Sequence, residues 1–338
     1  MLNALSAAAV PMVELWRGGM LESTHLGHAV ICDAGGAVVA AWGDAALKIY
    51  PRSSSKMLQA LPLIESGAAD AAGLTERHLA LACASHLGSA LHVAAAGYWL
   101  AGLGLGETDL RCGSHEPSNR EERNRLIRAG EAPCQLHNSC SGKHSGFLTL
   151  NRHLRGGAEY IEADHPVQVA VKAVFEAVTG EDSPGFGVDG CSAPNFATSV
   201  EGLARAMGRF AGASGGGDRR SRAMHRLASA MARYPEMISG EGGPCTLLMQ
   251  AIGGRAAVKG GAEGVYVAIL PDLRLGIALK IIDGSDRAKN AAIAALLVQV
   301  GALAADHPTT RKYLDAVVTN CRATEVGMLR AAPGFPRA

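Results

Sequence analysis

The sequence predicts an α+β fold in which strands from both chain ends form one antiparallel sheet packed with helices, while the middle of the chain forms a mostly helical lobe. Two observations carry this prediction: β-rich runs gather near the two ends, and the long stretch between them has helical patterns. We place the sheet lobe at about residues 10–50 and 255–338 and the helical lobe at about 51–254, within a single domain spanning 1–338.

Two β-hairpins are predicted, one near each end of the chain. The first consists of residues 28–34 and 37–43 around a Gly-Gly pair, and the second of residues 264–270 and 274–282 around a Pro-Asp pair. Glycine, proline and aspartate favour tight turns, so β-rich runs that flank them are expected to pair as antiparallel neighbours.

Four segments have the apolar spacing of helices. In the first of them, Asp164 is predicted to cap the N-terminus, Pro166 to lie in the first turn and Gly180 to end the helix. The basic residues of the third predict a solvent-exposed face. The four segments are residues 164–180, 195–210, 219–234 and 285–303.

Composition and charge narrow the class of protein. The chain is 48% hydrophobic, which excludes a disordered protein, and its net charge of +1 indicates neither a nucleic-acid nor an acidic-membrane partner. Its eight cysteines show no CxxC spacing, and no uninterrupted apolar run reaches about 18 residues. The first basic residue is Arg17, so a secretory signal is not predicted. We therefore expect a cytoplasmic protein without a membrane span.

The first motif that can carry chemistry is Ser53-Ser54-Ser55-Lys56. A serine and a lysine three residues apart at a helix start lie on one face, so the amine can accept the hydroxyl proton. The free amides of a helix N-terminus can also stabilise a developing oxyanion. The pattern equally fits a serine-rich N-cap followed by a surface lysine, and both interpretations stay open at this point.

Two further motifs contain histidine. Ser85 and His86 follow an apolar helical run, where polar residues also occur simply because the helix ends. Cys140, Lys143 and His144 have the i, i+3 and i+4 spacing that places side chains on one side of a helix. Cysteine and histidine at this spacing can bind a metal, or the segment can be a helix start with a buried cysteine.

Lys259 precedes two glycines and a predicted strand. This order places an amine at a sheet edge, beside a backbone that can approach a ligand closely. A lysine followed by a small residue and glycine on such a strand also occurs in acyl-transfer enzymes that carry an S-x-x-K helix. The position of this lysine after the S-x-x-K motif and before the second hairpin therefore adds weight to the Lys259 motif.

The ordered set of motifs resembles the asparaginase II family, the rhizobial-type L-asparaginases. The resemblance covers nearly the whole chain, through the segments VELWRGGMLES, RSSSKMLQALPLIES, ACASHLGS, HNSCSGKHSGFL, VDGCSAPNF and VKGGAEG. It implies a serine β-lactamase- and glutaminase-like fold and the hydrolysis of L-asparagine to L-aspartate and ammonia. One departure is Met57, where similar proteins often have proline after the lysine.

The resemblance also implies the roles of individual residues. It pairs Ser53 with Lys56 and Ser85 with Lys259 as catalytic groups. It implies that Cys140, Lys143 and the more distant Cys191 bind zinc. The residues expected to bind the substrate are Arg52, His144, Asp189 and Cys245.

Three functions follow from these residues. The first is an L-asparaginase that acts as a cytoplasmic homodimer on a small-molecule substrate, L-asparagine. The second is a glutaminase or another Ser-Lys acyl hydrolase of the same fold, since one methylene gives a pocket only about 1–3 kcal/mol of discrimination. The third is a zinc-stabilised binding protein in which the serines and lysines have structural roles.

Overall fold

A computed structural model describes residues 7–336; residues 1–6, on which the absence of an export signal is partly predicted, lie outside this range. The chain divides into two compact units. The first runs up to Ser54 and also contains Thr198–Gly212 and the chain from Leu247 onward. The second contains Ser55–Ala197 and Ala213–Thr246.

The described strands are numbered in chain order: β1 (Val10–Arg17), β2 (Met20–Asp33), β3 (Val38–Trp42), β4 (Lys48–Ile49), β5 (Phe186–Val188), β6 (Pro194–Phe196), β7 (Thr198–Ser199), β8 (Ala257–Gly260), β9 (Val265–Leu270), β10 (Leu275–Ile281), β11 (Ala316–Thr319) and β12 (Glu325–Ala331). Short 3₁₀ helices lie at Arg52–Ser55, Glu107–Asp109, Gln135–His137 and Pro271–Leu273.

The described α-helices are α1 (Lys56–Glu65), α2 (Ala68–Ala71), α3 (Glu76–Ala82), α4 (Ala90–Gly102), α5 (Arg120–Ala129), α6 (Ser141–Leu154), α7 (Pro166–Thr179), α8 (Val200–Gly212), α9 (Arg219–Arg233), α10 (Pro235–Ser239), α11 (Pro244–Ala251), α12 (Asp286–Gln299) and α13 (Pro308–Tyr313). No helix within residues 7–336 has both the length and the apolar character needed to cross a membrane.

The first unit is built on an antiparallel sheet with strand order β11-β12-β1-β2-β10-β9-β8, and β3 pairs with β2 outside this path. Strands from the start and the end of the chain meet where Ile31 lies opposite Ile277. Both predicted hairpins are present, as β2 with β3 and as β9 with β10. The predicted α+β class, with one sheet built from both chain ends, is confirmed.

Helix α8 packs on this sheet because two glycines permit close contact. A Cβ atom at Gly276 of β10 would collide with the backbone of Met207 and Gly208 in α8, and one at Gly208 would collide with the main-chain oxygen of Asp33. Without side chains at these positions, the helix backbone lies directly against the strands. Residues 195–210, which the sequence pattern places in the helical lobe, therefore contribute α8 to the first unit.

The second unit is mostly helical, and α1 is buried along most of its length between α6, α7 and α9. The basic face of α9 is only partly exposed, because its arginines form ion pairs with acidic residues of α1, α2 and α3. The pairs are Arg220 with Glu65, Arg226 with Asp70 and Arg233 with Glu76.

Two details of α7 concern its ends. The side chain of His165 accepts a hydrogen bond from the main-chain N–H of Val167, so His165 is the N-cap and the prediction of Asp164 was wrong by one residue. The shift has a simple cause, because Pro166 occupies the first helical position and the preceding residue is then the cap. Gly180 ends the helix in a left-handed conformation (φ +72°), as predicted.

The contact between α8 and the sheet generates a stability prediction. Gly276→Ala should lower the free energy of unfolding by about 3 kcal/mol, because the added methyl group forces the helix away from the strand. Gly102→Ala is the matched control: a Cβ there meets nothing within 4 Å, so this variant should change stability by less than about 1 kcal/mol. Urea unfolding of both variants measures the difference, and equal midpoints would contradict the close contact.

Candidate active site

The Ser53-Ser54-Ser55-Lys56 motif lies at a helix start, as its spacing predicts. Ser53 is half-buried in the 3₁₀ helix Arg52–Ser55, which leads directly into α1 at Lys56. Arg52 has a left-handed backbone conformation (φ +52°), which is unfavourable for a residue with a side chain. The Ser54 hydroxyl donates to the main-chain oxygen of Pro51 at 2.6 Å and thereby fixes the first turn.

Lys56 is fully buried, with 1% of its surface exposed, so the alternative of a surface lysine is excluded. Its Nζ donates to Ser85 Oγ at 3.1 Å and to Cys140 Sγ at 3.1 Å, and also to the main-chain oxygen of Ala84. The structure therefore brings Lys56 into contact with the serine of the second predicted pair. An amine held at this distance from a half-buried hydroxyl can exchange a proton with it.

Main-chain hydrogen bonds after α3 hold Ser85 in place. The N–H of Ser85 donates to the main-chain oxygen of Ile238 at 2.9 Å. The next residue, His86, accepts from the N–H of Gly88 through Nδ1, so its Nε2 carries the proton and donates to Ser141 Oγ at 2.9 Å. Burial lowers the pKa of His86 well below its usual value. His86 is thus a neutral link between this segment and the start of α6.

Cys140, Lys143 and Cys191 form one buried cluster in the second unit. Cys140 and Lys143 lie at the start of α6, and Cys191 lies in the loop between β5 and β6. Lys143 Nζ donates to Cys191 Sγ at 2.9 Å. The loop also takes a left-handed conformation at Ser192 (φ +69°), next to the buried Cys191.

The electrostatics of the cluster shift the pKa values of its two thiols in opposite directions. A hydrogen bond from the Cys140 thiol and the charge of Lys143 lower the pKa of Cys191, against the effect of burial. The same hydrogen bond, together with burial, raises the pKa of Cys140. Burial opposes the charge on Lys143, but the neighbouring sulfurs outweigh it and raise the pKa of this lysine. These shifts favour the charged forms of Cys191 and Lys143, whose side chains are in direct contact.

The donor set fits a zinc ion. Two sulfurs and an amine nitrogen are soft ligands that zinc accepts, and binding requires the amine and both thiols to lose their protons. Within residues 7–336, no group of three or more His, Cys, Asp or Glu side chains is arranged for a metal. The cluster of Cys140, Lys143 and Cys191 is not such a group, because its third donor is a lysine.

His144 follows Lys143 in α6 and is completely buried. The hydroxyl of Tyr160 accepts from the N–H of Arg111 at 2.8 Å and lies 2.8 Å from His144 Nδ1, so the phenolic proton is donated to this nitrogen. The ring proton of His144 is therefore on Nε2, and this nitrogen has no hydrogen-bond partner among the described residues. Tyr160 was not identified from the sequence, because a single buried tyrosine 16 residues away gives no local signal.

The remaining residues expected to bind the substrate lie in both units. Asp189 lies at the start of the loop that carries Cys191, where its charge acts on Lys143. Cys245 is buried in α11, in the second unit. Arg52 belongs to the first unit and directly precedes Ser53.

Lys259 lies on β8, an edge strand of the sheet, and is buried, with its Nζ donating to the main-chain oxygen of Gly260 at 2.6 Å. That the backbone at the following glycines can approach a ligand closely stays a prediction. The structure shows that it approaches another part of the chain: a Cβ atom at Gly261 would lie 2.8 Å from the oxygen of Pro51 and 3.1 Å from the nitrogen of Ser54. Glycine therefore allows this loop to lie against the Ser53 segment.

The model of the family described as L-asparaginase II matches residues 13–331. The comparison with curated proteins gives no match. Among solved structures, a β-lactamase from Mycobacterium bovis matches with 14% identity and a TM-score of 0.46, over 81% of this chain and 94% of its own. The protein Mglu matches with 14% identity and a TM-score of 0.46, over 83% and 68% respectively.

The contact between Tyr160 and His144 generates a second stability prediction. Tyr160→Phe leaves a buried imidazole nitrogen and the Arg111 N–H without partners, so it should lower the free energy of unfolding by about 1–3 kcal/mol. Tyr98 is 80% exposed, and Tyr98→Phe should change stability by less than about 0.5 kcal/mol. Denaturant unfolding of both variants checks this, and a Tyr160→Phe protein as stable as the control would disprove the hydrogen-bonded arrangement.

Proposed function

This chain belongs to the L-asparaginase II family, and from that premise we propose that it hydrolyses the side-chain amide of L-asparagine to L-aspartate and ammonia. An amide is a poor electrophile, so its hydrolysis needs an activated hydroxyl and a site for the oxyanion. The observation that carries the proposal is the hydrogen bond between the buried amine of Lys56 and the hydroxyl of Ser85. A surface role does not explain a lysine that is buried against a serine and a cysteine.

In the proposed mechanism, Lys56 is the base and Ser53, one helical turn before it, is the nucleophile. The Lys56 amine, after it has given up one proton, takes the proton of Ser53 Oγ as this oxygen bonds to the amide carbon. The proton then passes through Ser85 Oγ to the amide nitrogen, the C–N bond breaks and ammonia leaves. Water repeats the sequence on the resulting ester, which releases aspartate and restores Ser53.

The second pair implied by the resemblance, Ser85 with Lys259, stays a prediction. The role we propose for Ser85 rests on its contact with Lys56. Lys259 is a second buried lysine with an amine suited to proton transfer when it is neutral. The homodimer and the cytoplasmic location also stay predictions from the sequence.

We also propose that Cys140, Lys143 and Cys191 hold one zinc ion. Support comes from their burial in one cluster and from the direct contact between Lys143 Nζ and Cys191 Sγ. When bound, the metal supplies a Lewis acid or a rigid cross-link between α6 and the β5–β6 loop. The residues themselves already fix the geometry of this loop through the hydrogen bond from Lys143 to Cys191.

The catalytic proposal predicts the behaviour of two variants. Purified wild-type protein should release ammonia from L-asparagine, and Ser53→Ala and Lys56→Met should each lower kcat by at least about 10³-fold, because each removes a reacting group. The exposed residues Ser114 and Lys172 provide matched controls, Ser114→Ala and Lys172→Met, which should keep wild-type rates.

An ammonia assay with L-asparagine and L-glutamine in parallel measures these rates and separates an asparaginase from a glutaminase. Absence of ammonia with both substrates rejects the amidohydrolase proposal. A Ser53→Ala variant that keeps more than about a tenth of the wild-type rate, a barrier change below about 1.4 kcal/mol, rejects Ser53 as the nucleophile. Mass spectrometry of the trapped acyl-enzyme identifies the modified serine directly.

The metal proposal predicts the zinc content of three variants. Cys140→Ala and Cys191→Ala should lose most of the zinc found in wild type, because each removes a sulfur ligand. Cys321 is exposed, so Cys321→Ala should keep the wild-type content. Elemental analysis of the purified proteins provides the measurement, and equal zinc in all of them would refute the site.

A further inference from the structure

Lys280 is a buried lysine that the proposed mechanism does not use. It lies near the end of β10, and only 8% of its surface is exposed. Its Nζ donates to the main-chain oxygen of Glu263, and within residues 7–336 no carboxylate forms an ion pair with it. An ammonium group has three donors and a full charge, so this one keeps two N–H groups and its charge available for a ligand.

Two other lysines direct their amines to the same short segment, the β8–β9 loop (residues 260–264). Lys259 Nζ donates to the oxygen of Gly260 and Lys289 Nζ to the oxygen of Gly261, each at 2.6 Å. The register of the sheet places Lys259 opposite Val267 and Lys280 opposite Val265. Because alternate residues of a strand share a face, Lys259 and Lys280 lie on the same face of the sheet.

The acidic groups around this loop are engaged elsewhere. Lys289 forms an ion pair with Asp286, and Asp283 accepts hydrogen bonds from His25 and from the N–H of Ser285. The side chain of Glu263 lies on the exposed surface near Gly284. The carboxylates of Glu263 and Asp283 still act electrostatically on Lys280, but within residues 7–336 neither forms an ion pair with its Nζ.

The same loop connects Lys280 to the Ser53 segment. Gly261 lies against Pro51 and Ser54, and the guanidinium of Arg52 is near enough to act electrostatically on Lys280. Burial lowers the pKa of Lys280, the charges of Glu263 and Asp283 oppose this shift, and the charges of Arg52 and Lys289 add to it. An anion bound here would satisfy the unused donors and lie beside the proposed nucleophile.

We propose that Lys280 binds the α-carboxylate of the amino-acid substrate and thereby makes the enzyme prefer amino-acid amides to amides without a carboxylate. This inference rests on the proposed function. The carboxylate of asparagine is separated from its amide carbon by only the α and β carbons, so a cation beside the Ser53 segment has a matching partner at short range. A charge-assisted hydrogen bond to a carboxylate is among the stronger polar contacts in proteins.

The test compares L-asparagine with two amides that each lack one of its charged groups. L-asparagine carries both an amine and a carboxylate, succinamate lacks the amine, and 3-aminopropanamide lacks the carboxylate. Lys280→Met should raise KM for L-asparagine and for succinamate by about 10- to 100-fold, while kcat/KM for 3-aminopropanamide stays within about two-fold of wild type. Lys280→Arg should recover most of the lost affinity, because it restores a cation.

Lys289 provides the matched control, since it makes the same kind of bond to the same loop but has Asp286 as its counter-ion. Lys289→Met should leave the preference for L-asparagine over 3-aminopropanamide unchanged. If Lys280 only tethers the loop, Lys280→Met will reduce activity on all three amides alike, and that result overturns the inference. Unchanged kinetics with all three amides also overturns it.

Calorimetric binding of L-aspartate separates this inference from the proposed function. Wild type should bind this product at least ten-fold more tightly than Lys280→Met, with Lys280→Gln as a second variant if the first does not fold. If wild type hydrolyses none of the amides yet shows this difference, the proposed function fails and the carboxylate site stands. Equal affinity of wild type and variant rejects the carboxylate site whatever the activity.

Discussion

The second unit depends on the burial of one amine. Lys56 Nζ has as partners the oxygen of Ala84, the hydroxyl of Ser85 and the sulfur of Cys140. Because a buried amine needs partners to offset its desolvation, the start of α1, the segment after α3 and the start of α6 must converge on it. In the mechanism that we propose, the same convergence also places the reacting groups, since the groups that satisfy the lysine are a hydroxyl and a thiol.

Helix α6 distributes the polar groups on either side of that amine. A Cβ atom at Gly142 would collide with Leu81, so glycine lets α6 lie directly against α3 and brings Cys140 to Lys56. One helical turn further, Lys143 reaches the β5–β6 loop, and His144 turns to Tyr160. Consecutive residues of one helix thus serve different partners, because each step along an α-helix rotates the side chain by about 100°.

Local pattern was enough to predict much of the fold. The glycine pair after Ala34 and the β-rich runs on either side of it predicted the first hairpin, and the serines before Lys56 predicted a helix start. What the sequence did not reveal depends on contacts between distant residues, such as the hydrogen bond from Lys56 to Ser85 and the proton that Tyr160 donates to His144. The docking of α8 was missed for a related reason, since the absence of a side chain at Gly208 acquires meaning only beside Gly276. Lys280 gave no signal, because one lysine in an apolar strand shows neither its burial nor its missing counter-ion.

The sheet built from both chain ends has a consequence for synthesis on the ribosome. Strand β2 pairs with β10, where Ile31 lies opposite Ile277. Ile277 is synthesised roughly 250 residues after Ile31. At about 5–20 residues per second, β2 spends on the order of 10–50 s outside the ribosome before its central neighbour has been made. During that interval one edge of a strand with several apolar residues stays unpaired, which is the condition under which nascent chains aggregate. The nascent β1–β3 segment is therefore exposed to aggregation until the last third of the chain emerges.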